Sequence, residues 1–420
     1  RHRTPHPPDV SHDRGPARDR EPWSTQPTMA SVRRVEQPSV VVHGSVEPGF
    51  GAVADAFRDN FVHHGDIGAA VCVYHRGRPV VDLWGGTANL ETGQPWERDT
   101  LQLVFSATKA MTATCIHLLA ERGVLDLEAP VARYWPEFEA AGRAHIPVRW
   151  VLSHQAGLAA VTGAVTMDDI LGWDGVVRAI AAQAPVWEPG TAHGYHARSY
   201  GWILGEVVRR STGRSLGRWF AEEVAGPFDL DFFIGVPATE LARVAHLYPP
   251  VVAPELREVM DAFMGPDTLL GQVLTGPSGL FGYDDMWNRP EVLQAELPSS
   301  NGVGTARSIA RLYAALIGEV DGRRLLGADT LARAVEVQVS GPDRVIGLPM
   351  SFGSGFMTPP PAAPAGTFGH TGAGGSLGIA HPEQGWSLGY VMNQMQLGLT
   401  GDARSEGLLK ALANAVSTCP

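Results

Sequence analysis

The chain of 420 residues has only two lysines, Lys109 and Lys410, among its 33 basic residues. A GC-rich gene explains the general preference for arginine, but it does not explain where the remaining lysines stand. Arginine keeps its proton at every physiological pH, whereas a buried lysine amine can lose it. The scarcity of lysine therefore points to Lys109, in the segment FSATKA (105–110), as a position that requires an amine.

Cysteine is scarce as well, and the three cysteines are an odd number without metal-ligand spacing: Cys72, Cys115 and Cys419. Two of them fall in a predicted strand and a predicted helix, so we interpret them as reduced structural residues. The pairs His63-His64 and Glu222-Glu223 come nearest to a ligand cluster, but no HxxxH or CxxC pattern accompanies them. The sequence predicts no metal site.

Long apolar runs and an excess of positive charge are also missing. The longest apolar stretches, such as residues 69–74, have strand length rather than the ~20 residues of a membrane helix, so no membrane span is predicted. The net charge of −11 leaves no basic stripe for phosphates, which argues against nucleic acid and anionic membrane surfaces as partners. With 44% hydrophobic residues, the chain is predicted to be a soluble globular protein with two lobes.

Residues 1–44 are rich in Pro, Arg, Asp and His and lack hydrophobic periodicity, which predicts a disordered tail. Met29 would be a natural start, which leaves open whether residues 1–28 belong to the native protein. The tail has no apolar core of a signal peptide, and this favours a cytoplasmic location.

The rest of the chain predicts an α+β fold in which both ends supply strands around a helical middle. Predicted helices cover 49–64, 106–122, 199–210, 216–224, 305–317 and 402–417, and predicted strands cover 67–75, 79–84, 366–370, 378–381 and 386–392. Residues 76–78 form a tight glycine turn, so the first two strands are expected to form an antiparallel hairpin. The predicted domains are an α/β sheet domain (45–105 and 303–420) and a mostly helical domain (106–302).

Ser106 and Lys109 are predicted to share one face at the start of a helix. Apolar residues recur at helical spacing after them, and Gly123 is the predicted stop. If Ser106 opens the helix, its hydroxyl lies at the positive end of the dipole and within reach of Lys109. The alternative is an N-cap serine followed by a solvated lysine.

A serine activated by a lysine also requires a proton shuttle and donors for the oxyanion. Tyr195, in the loop segment WEPGTAHGYHA (187–197), could take the proton from Ser106 if Lys109 lowers the tyrosine pKa; otherwise it is a packing tyrosine. The segment GHTGAGG (369–375) has small residues that let a strand edge approach a substrate, or that simply form a turn between strands.

Together these segments resemble the serine β-lactamase and penicillin-binding-protein superfamily, specifically the class C β-lactamases and the family VIII carboxylesterases. The matching order is SxxK at 106–109, a YxN-like triplet at 195–197 and a KTG-like triplet at 370–372, with support from 151–158, 185–190 and 302–306. The resemblance covers residues 45–417. It implies a β-lactamase/transpeptidase-like fold, with an antiparallel sheet flanked by helices, a mostly helical lobe, and the active site between them.

By position, the resemblance makes Ser106 the nucleophile, Lys109 its activator and Tyr195 the general base. It assigns the oxyanion hole to the backbone N–H groups of Ser106 and Ala373. It also implies an acyl-enzyme that water hydrolyses, a small-molecule substrate and no cofactor.

Two departures from the family pattern narrow the expected substrate. Ala197 replaces the asparagine of the lactamase YxN triplet, and His370 replaces the lysine of the KTG triplet, ahead of Thr371 and Gly372. These four positions are the predicted substrate-binding residues. A histidine is mostly neutral near pH 7, so both losses disfavour β-lactams. We therefore expect a carboxylesterase, and by analogy with the esterase branch one that prefers short acyl chains.

Three alternatives remain. The segment GGSLG (374–378) fits the GxSxG nucleophile elbow of α/β-hydrolases, but the only later histidine is His381, with no acidic residue between it and Ser376. The same fold could instead serve an acyltransferase, an amidase or a weak β-lactamase. The chain could also be a non-catalytic binding protein on this scaffold. The sequence does not indicate the oligomeric state.

Overall fold

An antiparallel sheet built from both ends of the chain is the main feature of the structure, a computed structural model that describes residues 40–398 and 401–418. The strands are β1 (Val42–Val46), β2 (Gly68–His75), β3 (Arg78–Asn89), β4 (Gln94–Pro95), β5 (Gln102–Leu103), β6 (Phe232–Ile234), β7 (Gly302–Gly304), β8 (Val339–Pro342), β9 (Pro349–Phe352), β10 (Phe368–Thr371), β11 (Leu377–His381) and β12 (Trp386–Met392). The main sheet has the order β1-β3-β2-β12-β11-β10, with β4 paired to β3.

Helices cover both faces of this sheet and fill the middle of the chain. They are α1 (Gly51–His63), α2 (Thr108–Glu121), α3 (Val148–Leu152), α4 (Met167–Leu171), α5 (Asp174–Ala182), α6 (Ser199–Thr212), α7 (Leu216–Phe220), α8 (Pro254–Met264), α9 (Leu269–Thr275), α10 (Pro290–Gln294), α11 (Ala306–Ile317), α12 (Ala328–Val335) and α13 (Ala403–Thr418). The predicted helix 216–224 ends its α-helical part at Phe220 and continues as a π-helical turn, Ala221–Ala225.

The two chain ends meet where β2 pairs with β12, from Ala69 opposite Met392 to His75 opposite Trp386. Alternating side chains of these strands enter two different cores. On one face, Val71 and Leu388 pack with residues of α1 and α13. On the other face, the sheet approaches α11 so closely that a Cβ at Gly389 would lie 2.2 Å from the Ala306 carbonyl oxygen. The sheet is therefore a buried middle layer, and this explains the apolar sequence of its central strands.

Helix α2 runs through the centre of the helical part. Every residue from Thr108 to Leu119 is buried, including the polar ones. Before it, β5 pairs with β7, which also pairs with β6 in a small second sheet. The small sheet therefore fixes the segment that leads into α2, and the start of α2 contacts β10 of the main sheet.

The structure confirms the predicted α+β fold with an antiparallel sheet flanked by helices. The tail boundary was placed too far along the chain, because β1 begins at Val42; residues 1–39 lie outside the described part. The described residues form one contact unit, so the division into a sheet domain and a helical domain stays a prediction. Within the described ranges, no helix has the length and apolar character to cross a bilayer.

Candidate active site

Ser106 lies in a short 3₁₀ turn (Phe105–Ala107) ahead of α2. The prediction that Ser106 opens the α-helix is therefore wrong, because α2 begins at Thr108. The residue before Ser106, Phe105, has a positive φ of 45°, which is costly for a bulky side chain. Two contacts hold this conformation: the Thr108 hydroxyl donates to the Phe105 carbonyl at 2.5 Å, and the Phe105 ring packs edge-on against Trp287 at 4.9 Å. The strained turn leaves Ser106 at the surface of a cleft.

Lys109 is fully buried, and its Nζ lies within hydrogen-bond distance of three oxygen atoms. These are Ser106 Oγ at 3.2 Å, the Ala197 carbonyl at 2.7 Å and the Ser299 carbonyl at 3.0 Å. Burial, and then the charge of Arg198, hold the pKa of Lys109 well below its ordinary value. A neutral amine fits this site, since two N–H groups can serve the two carbonyls while the nitrogen lone pair accepts the Ser106 proton.

Tyr195 completes the group. Its ring centroid lies 4.8 Å from Lys109 Nζ, and its phenol interacts with the Ser106 side chain. The condition set for Tyr195 as the base, a pKa lowered by Lys109, is not met: burial raises the pKa of Tyr195 above its ordinary value, and the interaction with Ser106 offsets only part of the shift. Tyr195 is therefore a neutral phenol that can donate or relay a proton, and Lys109 is the stronger candidate for the base.

The loop that carries Tyr195 is fixed by two residues that sequence reasoning did not single out. The buried carboxylate of Asp343 accepts hydrogen bonds from the backbone N–H groups of Tyr195 (3.1 Å), Val345 (2.9 Å) and Ile346 (2.8 Å). On the other side, His154 accepts from the His196 N–H at 3.1 Å through Nδ1. Segment 151–158, which supported the family resemblance, thus has a structural role, because its His154 holds the loop that carries Tyr195.

The predicted oxyanion donors, the N–H groups of Ser106 and Ala373, belong to residues that line the same cleft. In the described part of the chain, neither group donates to another backbone carbonyl. The turn before Ala373 requires glycine, because a Cβ at Gly372 would lie 2.1 Å from both Ser376 Oγ and the Val104 carbonyl oxygen. The close approach of this turn to the segment before Ser106 places Ser106 and Ala373 in the lining of one cleft.

Arg404, on α13, supports this turn and was not predicted. It is only 1% exposed, and its Nη2 donates to the Gly374 carbonyl at 2.5 Å. Two carboxylates hold the guanidinium: Asp66 accepts from Nη1 at 2.8 Å and Asp402 from Nη2 at 2.5 Å. Arg404 therefore connects the last helix to the turn that carries Ala373.

Of the four predicted substrate-binding residues, only Ala197 lines the cleft. His370 is 1% exposed and its Nδ1 donates to the Thr371 carbonyl at 2.7 Å. Burial lowers the pKa of His370 to about 3, so its ring is neutral, as expected for that position. Thr371 and Gly372 lie beside the cleft rather than in its wall, and their direct contact with substrate stays a prediction.

The cleft has a volume of about 500 Å³ when its open mouth is included. One part of its lining is apolar and comes mainly from the β8–β9 region and α9. The full lining is Phe105, Ser106, Tyr195, Ala197, Arg198, Leu274, Tyr283, Ser300, Ile346, Met350, Met357 and Ala373. The site therefore combines the three proposed reacting side chains with a small, mixed substrate pocket.

Ser376, the alternative nucleophile, is in the wrong environment for that role. It is 1% exposed, and its hydroxyl donates to the Val104 carbonyl at 2.8 Å. The segment after it is strand β11, whereas a nucleophile elbow leads into a helix. Ser376 instead attaches the glycine turn to the segment before Ser106.

The sequence profile of the beta-lactamase family matches residues 54–413. The chain belongs to the beta-lactamase family. Among curated relatives, it is 37% identical over 366 residues to the esterase/beta-lactamase LipL of Mycobacterium tuberculosis, covering 84% of this chain and 83% of LipL. Among solved structures, it is similar to a family VIII carboxylesterase (TM-score 0.79, 38% identity, 89% of this chain and 100% of that one). It is also similar to a penicillin-binding protein homologue from Caulobacter crescentus (TM-score 0.80, 35% identity, 89% and 100%). The predicted resemblance and fold are confirmed.

Proposed function

We propose that the protein is a serine carboxylesterase that hydrolyses short-chain esters through an acyl-enzyme on Ser106. The chain is a carboxylic ester hydrolase of the beta-lactamase type: relatives that match most of its length are named an esterase/beta-lactamase and a family VIII carboxylesterase. One observation carries the mechanism. The buried Lys109 amine faces Ser106 Oγ while two backbone carbonyls occupy its other hydrogen bonds.

In the acylation step, Lys109 Nζ accepts the proton of the Ser106 hydroxyl as Oγ bonds to the ester carbonyl carbon. The negative charge that develops on the carbonyl oxygen is stabilised by the N–H groups of Ser106 and Ala373. The C–O bond to the alcohol then breaks. The departing oxygen takes up a proton delivered through the Tyr195 phenol, and Lys109 returns to its neutral form.

Deacylation reverses the roles with water as the nucleophile. A water molecule loses its proton to the Tyr195–Lys109 pair as its oxygen attacks the acyl carbon, and Ser106 Oγ recovers a proton when the carboxylic acid leaves. No cofactor takes part in these steps, which use only oxygen and nitrogen groups of the chain.

The pocket favours an ester over a β-lactam. Ala197 contributes only its carbonyl, to Lys109, so no side-chain amide is available there to hold the amide of a lactam substrate. The neutral, buried His370 offers no charge to a substrate carboxylate at the KTG position. The modest size of the cleft supports a short acyl chain. The expected partner is a small-molecule ester.

The test is hydrolysis of p-nitrophenyl butyrate together with intact mass after treatment with a fluorophosphonate probe. Wild type should hydrolyse the ester and gain one adduct, and Ser106→Ala should lose both. Ser376→Ala is the matched control for the adduct: it should keep the adduct and hydrolyse the ester at a reduced rate, because the Ser376 hydroxyl holds the glycine turn to Val104 and takes no part in the reaction. An adduct that persists in Ser106→Ala and disappears in Ser376→Ala would overturn the assignment.

Weak β-lactam hydrolysis is a second candidate activity, suggested by the name of the M. tuberculosis relative. We expect kcat/KM for a chromogenic cephalosporin to lie far below that for p-nitrophenyl butyrate. If kcat/KM for the cephalosporin matched that for p-nitrophenyl butyrate, the assignment of the protein as primarily an esterase would be wrong.

A further inference from the structure

Arg198 is a buried positive charge in the lining of the cleft, and no carboxylate of the described residues pairs with it. The residue is 7% exposed, and the ion pairs found in the described part of the chain do not include it. Tyr283 and Tyr195 are the groups whose charge would favour its protonated form, and both are neutral phenols. Burial lowers the pKa of Arg198 to about 10, so it remains charged at neutral pH.

Among the described residues, two other arginines are as deeply buried, and both have their charge compensated. Arg404 is held by the carboxylates of Asp66 and Asp402. No carboxylate in the described ranges pairs with Arg143, but its Nη1 donates to the Ile180 carbonyl at 2.6 Å, in the last turn of α5, where the helix dipole favours a cation. Arg198, in contrast, directly precedes α6 and so lies at the positive N-terminal end of a helix, where the dipole disfavours a cation. Its charge is unfavourable in the free protein.

The guanidinium is nevertheless held in one plane. Its Cζ lies 4.0 Å from the ring centroid of Phe281 and 5.2 Å from that of Trp287. Nη2 donates to the Leu274 carbonyl at 2.5 Å and Nη1 to Ser300 Oγ at 3.3 Å, whereas Nε has no acceptor among the described residues. Only two of the five N–H groups of the side chain thus have acceptors. A rigid guanidinium that lines a cleft and has N–H donors without acceptors is suited to bind an anion.

We propose that Arg198 forms a subsite for a carboxylate of the substrate, so that the preferred esters carry a negative group in addition to the scissile ester. This inference rests on the proposed esterase function and specifies its substrate class. The remaining Nη hydrogens of Arg198 donate to the carboxylate, and the N-terminal end of α6 adds favourable potential. The apolar side chains of Ile346, Met350 and Met357 in the same lining accommodate the hydrocarbon part of the ester.

The experiment compares monoethyl succinate with diethyl succinate, which differ in whether the second carboxyl group is charged. Hydrolysis is followed by proton release, and p-nitrophenyl butyrate serves as the reference ester. In wild type, kcat/KM should be roughly tenfold to hundredfold higher for the monoester, as expected for a charge-assisted hydrogen bond. In Arg198→Gln, the ratio of the two kcat/KM values should fall to about one or below. Arg198→Lys should recover part of it.

The ratio is used because Arg198 also acts on Lys109, so a variant can change all rates together. Arg344→Gln is the matched control: this exposed arginine stacks on Trp187 at 5.7 Å and does not line the cleft, so the ratio should equal that of wild type. In case Arg198→Gln does not fold, wild type provides a second readout. Succinate should inhibit p-nitrophenyl butyrate hydrolysis competitively and at least tenfold more strongly than neutral succinamide.

Either of two kinetic results would overturn the subsite while leaving the esterase intact: a wild-type ratio near or below one with p-nitrophenyl butyrate still hydrolysed, or a ratio that Arg198→Gln leaves unchanged. Equal inhibition by succinate and succinamide has the same meaning. Loss of hydrolysis for every ester would remove the proposed function, and the subsite with it.

Discussion

Replacing Lys109 by arginine keeps the positive charge and removes the ability to act as a base. A guanidinium keeps its proton at every physiological pH, even when it is buried. In the structure, Lys109 Nζ lies 3.2 Å from Ser106 Oγ, and burial, followed by the charge of Arg198, lowers the pKa of this amine and so favours its neutral form. An arginine at this position would present N–H groups to Ser106 where the mechanism requires a lone pair.

The size of the effect follows from the chemistry that is lost. General base catalysis contributes roughly 10²–10⁴-fold, so we expect kcat/KM of Lys109→Arg to fall about 10³-fold, which corresponds to about 4 kcal/mol of transition-state stabilisation. The substitution also affects folding, because five N–H groups meet only three oxygen atoms in a fully buried place. At least two donors remain unpaired, at about 1–3 kcal/mol each.

The assay is kcat/KM for p-nitrophenyl butyrate at low temperature, with circular dichroism to verify folding. The chain offers a matched control in its other lysine: Lys410 is exposed on α13, so Lys410→Arg should be indistinguishable from wild type. Lys109→Met gives a second, neutral variant of similar volume that should be equally inactive. If folded Lys109→Arg keeps more than about a tenth of the wild-type kcat/KM, the lysine is not the base and this account of the site is wrong.

The remaining predictions concern pH and two supporting residues. Activity should rise with pH as Lys109 loses its proton, with a midpoint well below 10.5, and a pH profile of kcat/KM without that acid limb would contradict a lysine base. The same lowered pKa means that the unfolded chain binds a proton that the native site releases, so Lys109 makes stability increase with pH between its lowered pKa and 10.5. Arg404→Lys should lower kcat about tenfold to hundredfold with little change in KM, because the carbonyl of Gly374 loses its donor and the oxyanion turn shifts; a pure KM effect would refute this role. Asp343→Ala removes the acceptor of three backbone N–H groups, including that of Tyr195, and should cost about 3 kcal/mol in urea unfolding, whereas Asp343→Asn should keep most of the stability.

Those parts of the fold that depend on local pattern could be predicted from the sequence. The apolar segment 386–392 was placed correctly as a strand, and the glycine turn at 76–78 correctly indicated the β2–β3 hairpin. The start of α2 could not be predicted from the local pattern. Phe105, just before Ser106, has a positive φ, and its contact with Trp287, a residue distant in sequence, stabilises that conformation. The beginning of β1 was missed for a similar reason, since a short edge strand with exposed side chains gives little pattern.

For the site, motifs located the groups that we propose to react, but not the groups that hold them. Ser106, Lys109 and Tyr195 come together in the structure as their motif order suggested. Asp343 and Arg404 could not be found in this way, because each acts on backbone groups distant in sequence, and an isolated Asp or Arg carries no motif. The direction of the Tyr195 shift also depends on burial, which the sequence does not give.

The pairing of β2 with β12 has a consequence for how the protein is made. Residues 68–75 leave the ribosome more than three hundred residues before their partner strand, 386–392, so the β2–β3 hairpin is synthesised long before its inner edge is covered. An uncovered apolar edge favours pairing with other chains, and contacts between such distant segments form slowly. We therefore expect nascent chains that end before β12 to be retained by chaperones or to aggregate, and the active site to form only after synthesis is nearly complete.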